Sequence, residues 1–175
     1  MHSSIRIRRA CAQDANSLSV LAEQTFRAAF AASNSTTDMQ RHCQLTYGES
    51  VQLAEIQDPS LETWVAEDHG RLVAYVQLRS GTTPTVVNGN SPMEIQRFYV
   101  DAGHHGQGLA HGLMEHILTR TAAAGADVVW LGVWEHNPRA LAFYRKWGFD
   151  VVGDQTFTLG DDQQRDLVMR RVVNW

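Results

Sequence analysis

The sequence predicts a mixed α/β fold: a single domain over residues 1–175, with a central twisted sheet of about six to seven strands flanked by helices. Three observations carry that reading. Between Met93 and Phe149, strand-like segments rich in Ile, Val, Phe, Tyr and Trp alternate with helical segments, so helices join neighbouring strands in the middle of the sheet. Outside that stretch, strand-like segments follow one another across short polar turns, as hairpins do. No linker, repeat or compositional break divides the 175 residues, a length that suits one domain with a full core.

The elements follow in order. Ser4 to Arg9 alternates Ile5 and Ile7 with basic residues and reads as a first strand with one buried face. Asp14 is a candidate cap for a helix carrying Leu18, Leu21, Ala22, Thr25, Phe26, Ala29 and Phe30 at helical spacing, aromatics that read as core. A polar break from Ser33 to Asp38 precedes two shorter helices, Met39 to Tyr47 and Glu49 to Gln57, with Pro59 ending the helical region. Thr63 to Glu67 and Arg71 to Leu78 form a hairpin about Asp68-His69-Gly70. Ser80 to Pro92, rich in Gly, Thr, Asn and Pro, reads as a mobile loop that either lines a substrate cleft or merely connects.

Met93 to Val100 is the central strand. Leu109, Leu113, Met114, Ile117 and Leu118 then share one face of a helix ending near Gly125. Asp127 to Trp134 is continuously apolar at its centre, as a strand covered on both faces is. A helix begins at Pro138, well suited to a first turn, and stops at Gly148. Phe149 to Leu159 and Leu167 to Val173 are the last strands, around a polar turn at Gly160 to Gln164.

The net charge of −4 with dispersed cations argues against nucleic acid as a partner and suits a cationic substrate. Cys11 and Cys43 make neither a disulfide framework nor a zinc pattern, so a reduced, cytoplasmic protein is expected. No stretch has signal-peptide character or membrane-spanning length, and no membrane partner is expected. The sequence leaves oligomeric state open, a homodimer included.

Chemistry concentrates where the central strand meets the next helix, at His105-Gly106-Gln107-Gly108-Leu109-Ala110. Closely spaced glycines let backbone approach a ligand, and the first helical turn offers unpaired N–H groups at the positive end of its dipole, a setting for phosphate or pyrophosphate. No Gly-Lys-Ser/Thr follows, and the third glycine of the dinucleotide fingerprint is missing, so a different phosphorylated ligand is implied. Downstream runs Asn137-Pro138-Arg139-Ala140-Leu141-Ala142-Phe143-Tyr144-Arg145-Lys146-Trp147-Gly148-Phe149.

Together these segments resemble the GNAT superfamily of acetyl-coenzyme A dependent N-acetyltransferases. Its pyrophosphate loop follows Gln/Arg-x-x-Gly-x-Gly/Ala, and its later motif Asn-x-x-Ala-x-x-Phe-Tyr-x-x-x-Gly-Phe. Asn137, Ala140, Phe143, Tyr144, Gly148 and Phe149 match every defined position of the second pattern. Gly108 and Ala110 match the first, with His105 in place of Gln or Arg. The resemblance implies the GNAT fold and acetyl-CoA as cosubstrate. It implies pyrophosphate on the amides of Gly106, Gln107, Gly108, Leu109 and Ala110, and the pantetheine arm along the backbone of Phe98, Tyr99 and Val100, with Asn137 bonded to the same arm.

Tyr144 falls on the family's tyrosine near the sulfur, where a phenol with reference pKa about 10 stays protonated and can donate to a thiolate; the plain alternative is a core aromatic. Asn137 can also be only a helix cap. An alkyl ammonium with pKa near 10.4 is uncharged in about one molecule in a few thousand at pH 7, so a base or a water chain is required. Glu94 occupies the place where histone-type members carry a catalytic glutamate, and burial on the central strand would raise its pKa; an ion pair with Arg97 is the alternative. His104, His105, His111, His116 and His136 make no metal site by spacing, and His104 and His105 are expected to line the phosphate loop.

Glu94 to Val100, Trp130 to Glu135 and the tail from Thr156 to Met169 further resemble the bacterial PaiA-type polyamine N-acetyltransferases. That implies a small primary amine, a polyamine first, as acceptor, with Asp38, Glu62, Glu67, Phe26 and Phe30 as candidate contacts for its cations and methylenes. A protein or peptide N-acetyltransferase and a non-catalytic acyl-CoA binding module are the alternatives.

Overall fold

In the computed structural model, residues 5–174 are described. Alternation of Ile7 with arginines produces the short strand β1, Arg6–Arg9; the Ser4 end of that expected strand lies outside the described residues. Three helices follow: α1, Ala15–Phe30; α2, Thr36–Thr46; and α3, Glu49–Gln57. The expected hairpin is β2, Leu61–Asp68, with β3, Arg71–Arg79. The central strand β4, Pro92–Val100, leads through a glycine loop into α4, Leu109–Ala123. Then come β5, Val128–Trp134; α5, Pro138–Lys146; β6, Asp150–Leu159; and β7, Asp162–Val172.

The strands form one seven-stranded sheet in the order β1-β2-β3-β4-β5-β7-β6. Only β4 and β5 run parallel, as strands joined by a helical crossover do; every other pair is antiparallel. One face of the sheet takes α4 and α5, whose Leu113, Met114, Ile117 and Leu141 pack on Val76, Leu78, Val129 and Leu131. The other takes α1 and α2, with Leu18, Phe26, Met39 and Cys43 against Val65, Tyr75 and Leu159. Phe149, wholly buried, anchors the first cluster and stabilises it by roughly 2–3 kcal/mol.

One irregularity shapes everything downstream. Strand β4 pairs with β5 only at Pro92, Met93 and Glu94, and then the two strands part. Beyond that point β5 is zipped to β7 along its whole length, and β4 stays on β3. A bulge at Gln96 accompanies the parting, since Gln77 faces Arg97 while Leu78 faces Ile95, and an extra residue increases local twist. The sheet therefore opens into a wedge whose inner walls are Ile95 to Tyr99 and Gly132 to Trp134.

Several expectations need correction. Asp14 sits at the α1 N-cap but makes no capping bond; its carboxylate takes two bonds from Arg8, and that guanidinium, as a fixed partner, holds it at about 2. Ala29 is exposed rather than core. The Ser80 to Pro92 segment is not a cleft wall: Val87 is fully buried against Val128, Trp130 and Val168, and Arg170 donates to the carbonyls of Val87 and Asn88. The polar turn at Gly160 to Gln164 is shorter than expected, because Leu159 pairs directly with Asp162 and β7 starts there.

Candidate active site

The α4/α5 side of the wedge is built mainly from backbone. Gly106 and Gly108 adopt left-handed conformations, φ +74° and +81°, with open space where a side chain would stand. Gly108 is the N-cap of α4, and among the described residues the N–H groups of Gly106, Gln107 and Gly108 meet no protein acceptor. The first turn of α4, Leu109 and Ala110 included, adds N–H groups that helix geometry leaves unpaired. This concentration of donors at the positive end of a helix fits a diphosphate.

Sequence reading places Gln or Arg where His105 stands, and the structure indicates how the change is accommodated. His105 Nε2 lies 2.8 Å from the Val100 carbonyl, so that nitrogen carries the proton and donates. Its Nδ1 is then an acceptor, and Arg139 Nη1 of α5 donates to it at 3.0 Å. A guanidinium from α5 is thereby steered to the loop. Gln107 steadies the same loop by donating to the Gly103 carbonyl. His104 does not line it: the ring turns away toward Asp68 and Asp101.

Next to the loop, the β5-facing edge of β4 from Ile95 through Phe98, Tyr99 and Val100 has no strand partner, leaving backbone groups for an extended ligand arm. Asn137 caps α5, accepting from Ala140 N at 3.1 Å, and its amide donors have no partner among the described residues. The two roles foreseen for Asn137 are thus compatible. Tyr144 packs edge-on to Phe98, Phe143 and Phe149, and its phenol faces the wedge with no hydrogen bond among the described residues. Burial, then the neighbouring Tyr99, raises its pKa, so Tyr144 holds its proton throughout the neutral range.

The wedge holds a cleft of about 320 Å³, reached by Asn137, Ala140 and Tyr144 from the α4/α5 side and otherwise walled by side chains. Phe26 and Phe30 of α1, His42 of α2, Tyr47 just after α2, Trp134 of β5 and Phe157 of β6 supply its apolar surface. Phe30 meets Trp134 at a centroid distance of 5.9 Å, and His42 stacks on Phe26 at 4.4 Å. Burial, with Arg97 adding, lowers the His42 pKa, so that ring is neutral at pH 7.

The charges in the cleft are mostly matched. Arg97 forms a bidentate pair with Glu55, not the pair with Glu94 that the sequence allowed. Glu94 is buried and bonded instead to Arg79 at 2.6 Å. Burial raises the Glu94 pKa, as expected, while Arg79 opposes the rise. Asp166 of β7 is different, with no hydrogen bond or ion pair among the described residues. Burial pushes its carboxyl up to about 6.

Asp166 is the functional candidate that motif reading passed over. In sequence it shows only as the polar residue that precedes the apolar run of the last strand, and its pairing opposite Trp134 emerges from the fold. Conversely, three carboxylates expected along the acceptor path are elsewhere. Asp38 receives the Asp161 N–H, Glu62 binds Arg9 and Arg120, and Glu67 binds Arg8. The remaining histidines are dispersed: His111 lies on Trp147, His116 on Trp64 and His136 by Trp134. Among the described residues no group of three His, Cys, Asp or Glu is placed to hold a metal ion.

Comparison with known proteins agrees with this geometry. Residues 23–149 match the family model described as acetyltransferase (GNAT) family. An uncharacterized N-acetyltransferase of Mycobacterium tuberculosis is 39% identical over 123 residues, 70% of this chain and 74% of the relative. Another, from Lactobacillus delbrueckii subsp. lactis, is 26% identical over 98% of this chain and 99% of its own length. Among solved structures, the PaiA N-acetyltransferase of Thermoplasma acidophilum in complex with coenzyme A superposes with a TM-score of 0.77 at 18% identity, over 97% of this chain and 99% of that one. The ribosomal-protein-S18-alanine N-acetyltransferase of Escherichia coli gives 0.68 at 16% identity, over 98% and 95%. With the matched region embracing the glycine loop, Asn137 and Tyr144, and with relatives that are themselves N-acetyltransferases, this chain belongs to the acetyltransferase (GNAT) family and uses acetyl-CoA as its cosubstrate.

Proposed function

We propose that this N-acetyltransferase acts on a primary amine of a small molecule, by direct attack of the amine on the thioester. The observation that carries the small-molecule reading is a bridge across the acceptor end of the cleft. Gln164 of β7 donates to Asn34 across 130 residues of sequence, Asp161 N bonds to Asp38 at 3.1 Å, and Arg41 pairs with Asp161 at 2.7 Å. These contacts tie the β6–β7 hairpin to the start of α2 beside Gln164, which lines the cleft, and support a walled acceptor end; a peptide would need an open trough.

The loop amides of Gly106 to Ala110 hold the diphosphate, with Arg139 adding charge; the edge of Phe98 to Val100 and the Asn137 amide align the arm. When bound there, acetyl-CoA supplies an acetyl group already activated as a thioester. Tyr144 donates its proton to the departing sulfur, a role supported by its unpaired phenol and its motif position. Retention of Tyr144 and Asn137 also weighs against a non-catalytic binding module. Glu94 and Asp166 both face the amine's side of the wedge as candidates for its proton.

Polyamines are the finer candidate, on the strength of the PaiA-type resemblance. A second acceptor class is favoured by a specific observation: Asp166 has no cationic partner among the described residues, Trp134 stands opposite it in the strand register, and further aromatic rings line the same cleft. That suits an amine with one ammonium on an apolar body. Free Cys11 and Cys43 suit the reducing cytoplasm. A thiol-release assay with acetyl-CoA against polyamines, arylalkylamines, amino acids and peptides tests the proposal. Turnover with a small amine and none with peptides is expected; turnover with peptides alone would overturn it.

A further inference from the structure

Acetyl transfer requires that the acceptor arrive as an ammonium, lose a proton and then attack. The cleft must offer a place for each event, and Glu94, expected for the second, has an oxygen committed to Arg79 at 2.6 Å. That guanidinium favours the charged form of Glu94, against the rise that burial gives it, and takes up one of its two oxygens.

The other wall is differently made. Asp166 stands opposite Trp134 on β5 and opposite Gln155 on β6 in the strand register, so the three side chains share one face. Gly132 makes room between them: a Cβ there would come within 3.3 Å of Asp166 Oδ2 and 2.5 Å of Gln155 Nε2. Across the wedge, the Tyr99 phenol feels the Asp166 charge. Burial pushes Tyr99 up to about 12, with Arg97 opposing and the Asp166 charge adding, and Tyr99 in turn contributes to the rise at Tyr144. The charged and titratable groups that line the cleft with Asp166 are Tyr99, Arg97 and Glu94 from β4, Arg79 from β3, His42 from α2, Tyr47 just after α2 and Tyr144 from α5. Arg97 is neutralised by Glu55 and Glu94 by Arg79, which leaves Asp166 the charge that calls for a counter-ion.

We propose that Asp166 is the acceptor-side catalytic carboxylate, receiving the substrate ammonium beside Trp134 and Phe30 and accepting the proton that must leave before the nitrogen attacks. The inference rests on the small-amine reading above. The atoms balance. One proton passes from the ammonium to Asp166 and on to solvent, and the free amine forms a C–N bond to the acetyl carbon as the C–S bond breaks with its electron pair on sulfur. Tyr144 protonates that sulfur, and the second proton lost by nitrogen restores the phenol. The aromatic wall gives the ammonium a cation–π environment in addition to the carboxylate.

The test compares wild type, Asp166→Asn, Asp166→Glu and Glu94→Gln with 2-phenylethylamine and spermidine as acceptors, alongside calorimetric titration of coenzyme A. For Asp166→Asn, kcat/KM should fall by about 100-fold or more with coenzyme affinity within about two-fold, while Asp166→Glu keeps part of the activity. Wild type and Glu94→Gln should share an acidic limb near pH 6 that Asp166→Asn lacks. An Asp166→Asn enzyme within about three-fold of wild type, or with the same acidic limb, overturns the assignment. Should that variant not fold, Gly132→Ala crowds the same site through a flexible glutamine. It should lower kcat/KM about ten-fold with coenzyme affinity kept, and an unchanged kcat/KM overturns the assignment equally. Wild type that binds coenzyme yet acetylates neither amine would instead sink the small-amine reading, and the inference with it.

Discussion

The two sides of the wedge are made of different material. The α4/α5 side presents N–H groups from consecutive residues, Gly106 to Ala110, and an unpaired strand edge, while the α1/α2 side presents side chains gathered from α1, α2, β4, β5, β6 and β7. Backbone recognition tolerates exchange of neighbouring side chains, as the His105–Arg139 arrangement illustrates. Side-chain recognition does not, because each contact depends on a separate residue being placed by the fold. The half proposed to bind the carrier is thus constrained locally, and the half proposed for the acceptor can change its specificity without disturbing it.

Substitutions can separate the halves. The largest effect is expected at Tyr144, where the two meet. Tyr144→Phe removes one oxygen from a ring whose packing against Phe98 and Phe149 is kept, so kcat should fall about 100- to 1,000-fold while coenzyme affinity stays within about two-fold. Steady-state rates with calorimetry would check this, and parallel loss of both would remove the acid role. A smaller effect is expected at the acceptor bridge. Gly160 has φ +61°, and a Cβ there would meet the Asp38 side chain. Gly160→Ala should cost about 2 kcal/mol in urea unfolding and raise the amine KM, leaving coenzyme binding intact.

Smallest is a pH-dependent gain. Because the folded pKa of Asp166 is raised to about 6, the fold favours the protonated carboxyl, and that advantage is lost as pH rises through 6. Asp166→Asn escapes the cost of a desolvated charge, so it should be more stable than wild type by about 1 kcal/mol at pH 8, after discounting for solvent screening, and no more stable at pH 4. Thermal melts at the two pH values measure the difference; a variant less stable at pH 8 would contradict the unpaired burial of Asp166.

The contrast also explains what the sequence could reveal. Glycine spacing, the apolar run at Val128 to Trp134 and the Asn137 to Phe149 motif are local, and they led to the sheet, the crossover helices and the residues proposed to bind the carrier. The bulge at Gln96 and the parting of β4 from β5 arise from competition between strands, which no single segment records. Asp38, Glu62 and Glu67 looked available as acceptor contacts because their partners, Asp161, Arg120 and Arg8, are distant in the chain. Asp166 went unassigned for the complementary reason, since what distinguishes it is the lack of a partner in three dimensions.

The claim on which the rest depends is that main-chain donors at the α4 N-terminus, not acceptor-side groups, hold the carrier. Calorimetric titration of coenzyme A into wild type, Gly108→Val and Asp166→Asn tests it most directly, because Gly108 has φ +81° and a β-branched residue cannot adopt it without strain. Wild type and Asp166→Asn should bind alike, and Gly108→Val should lose about 30-fold or more in affinity. Equal binding by Gly108→Val, or no heat with wild type, would contradict the account.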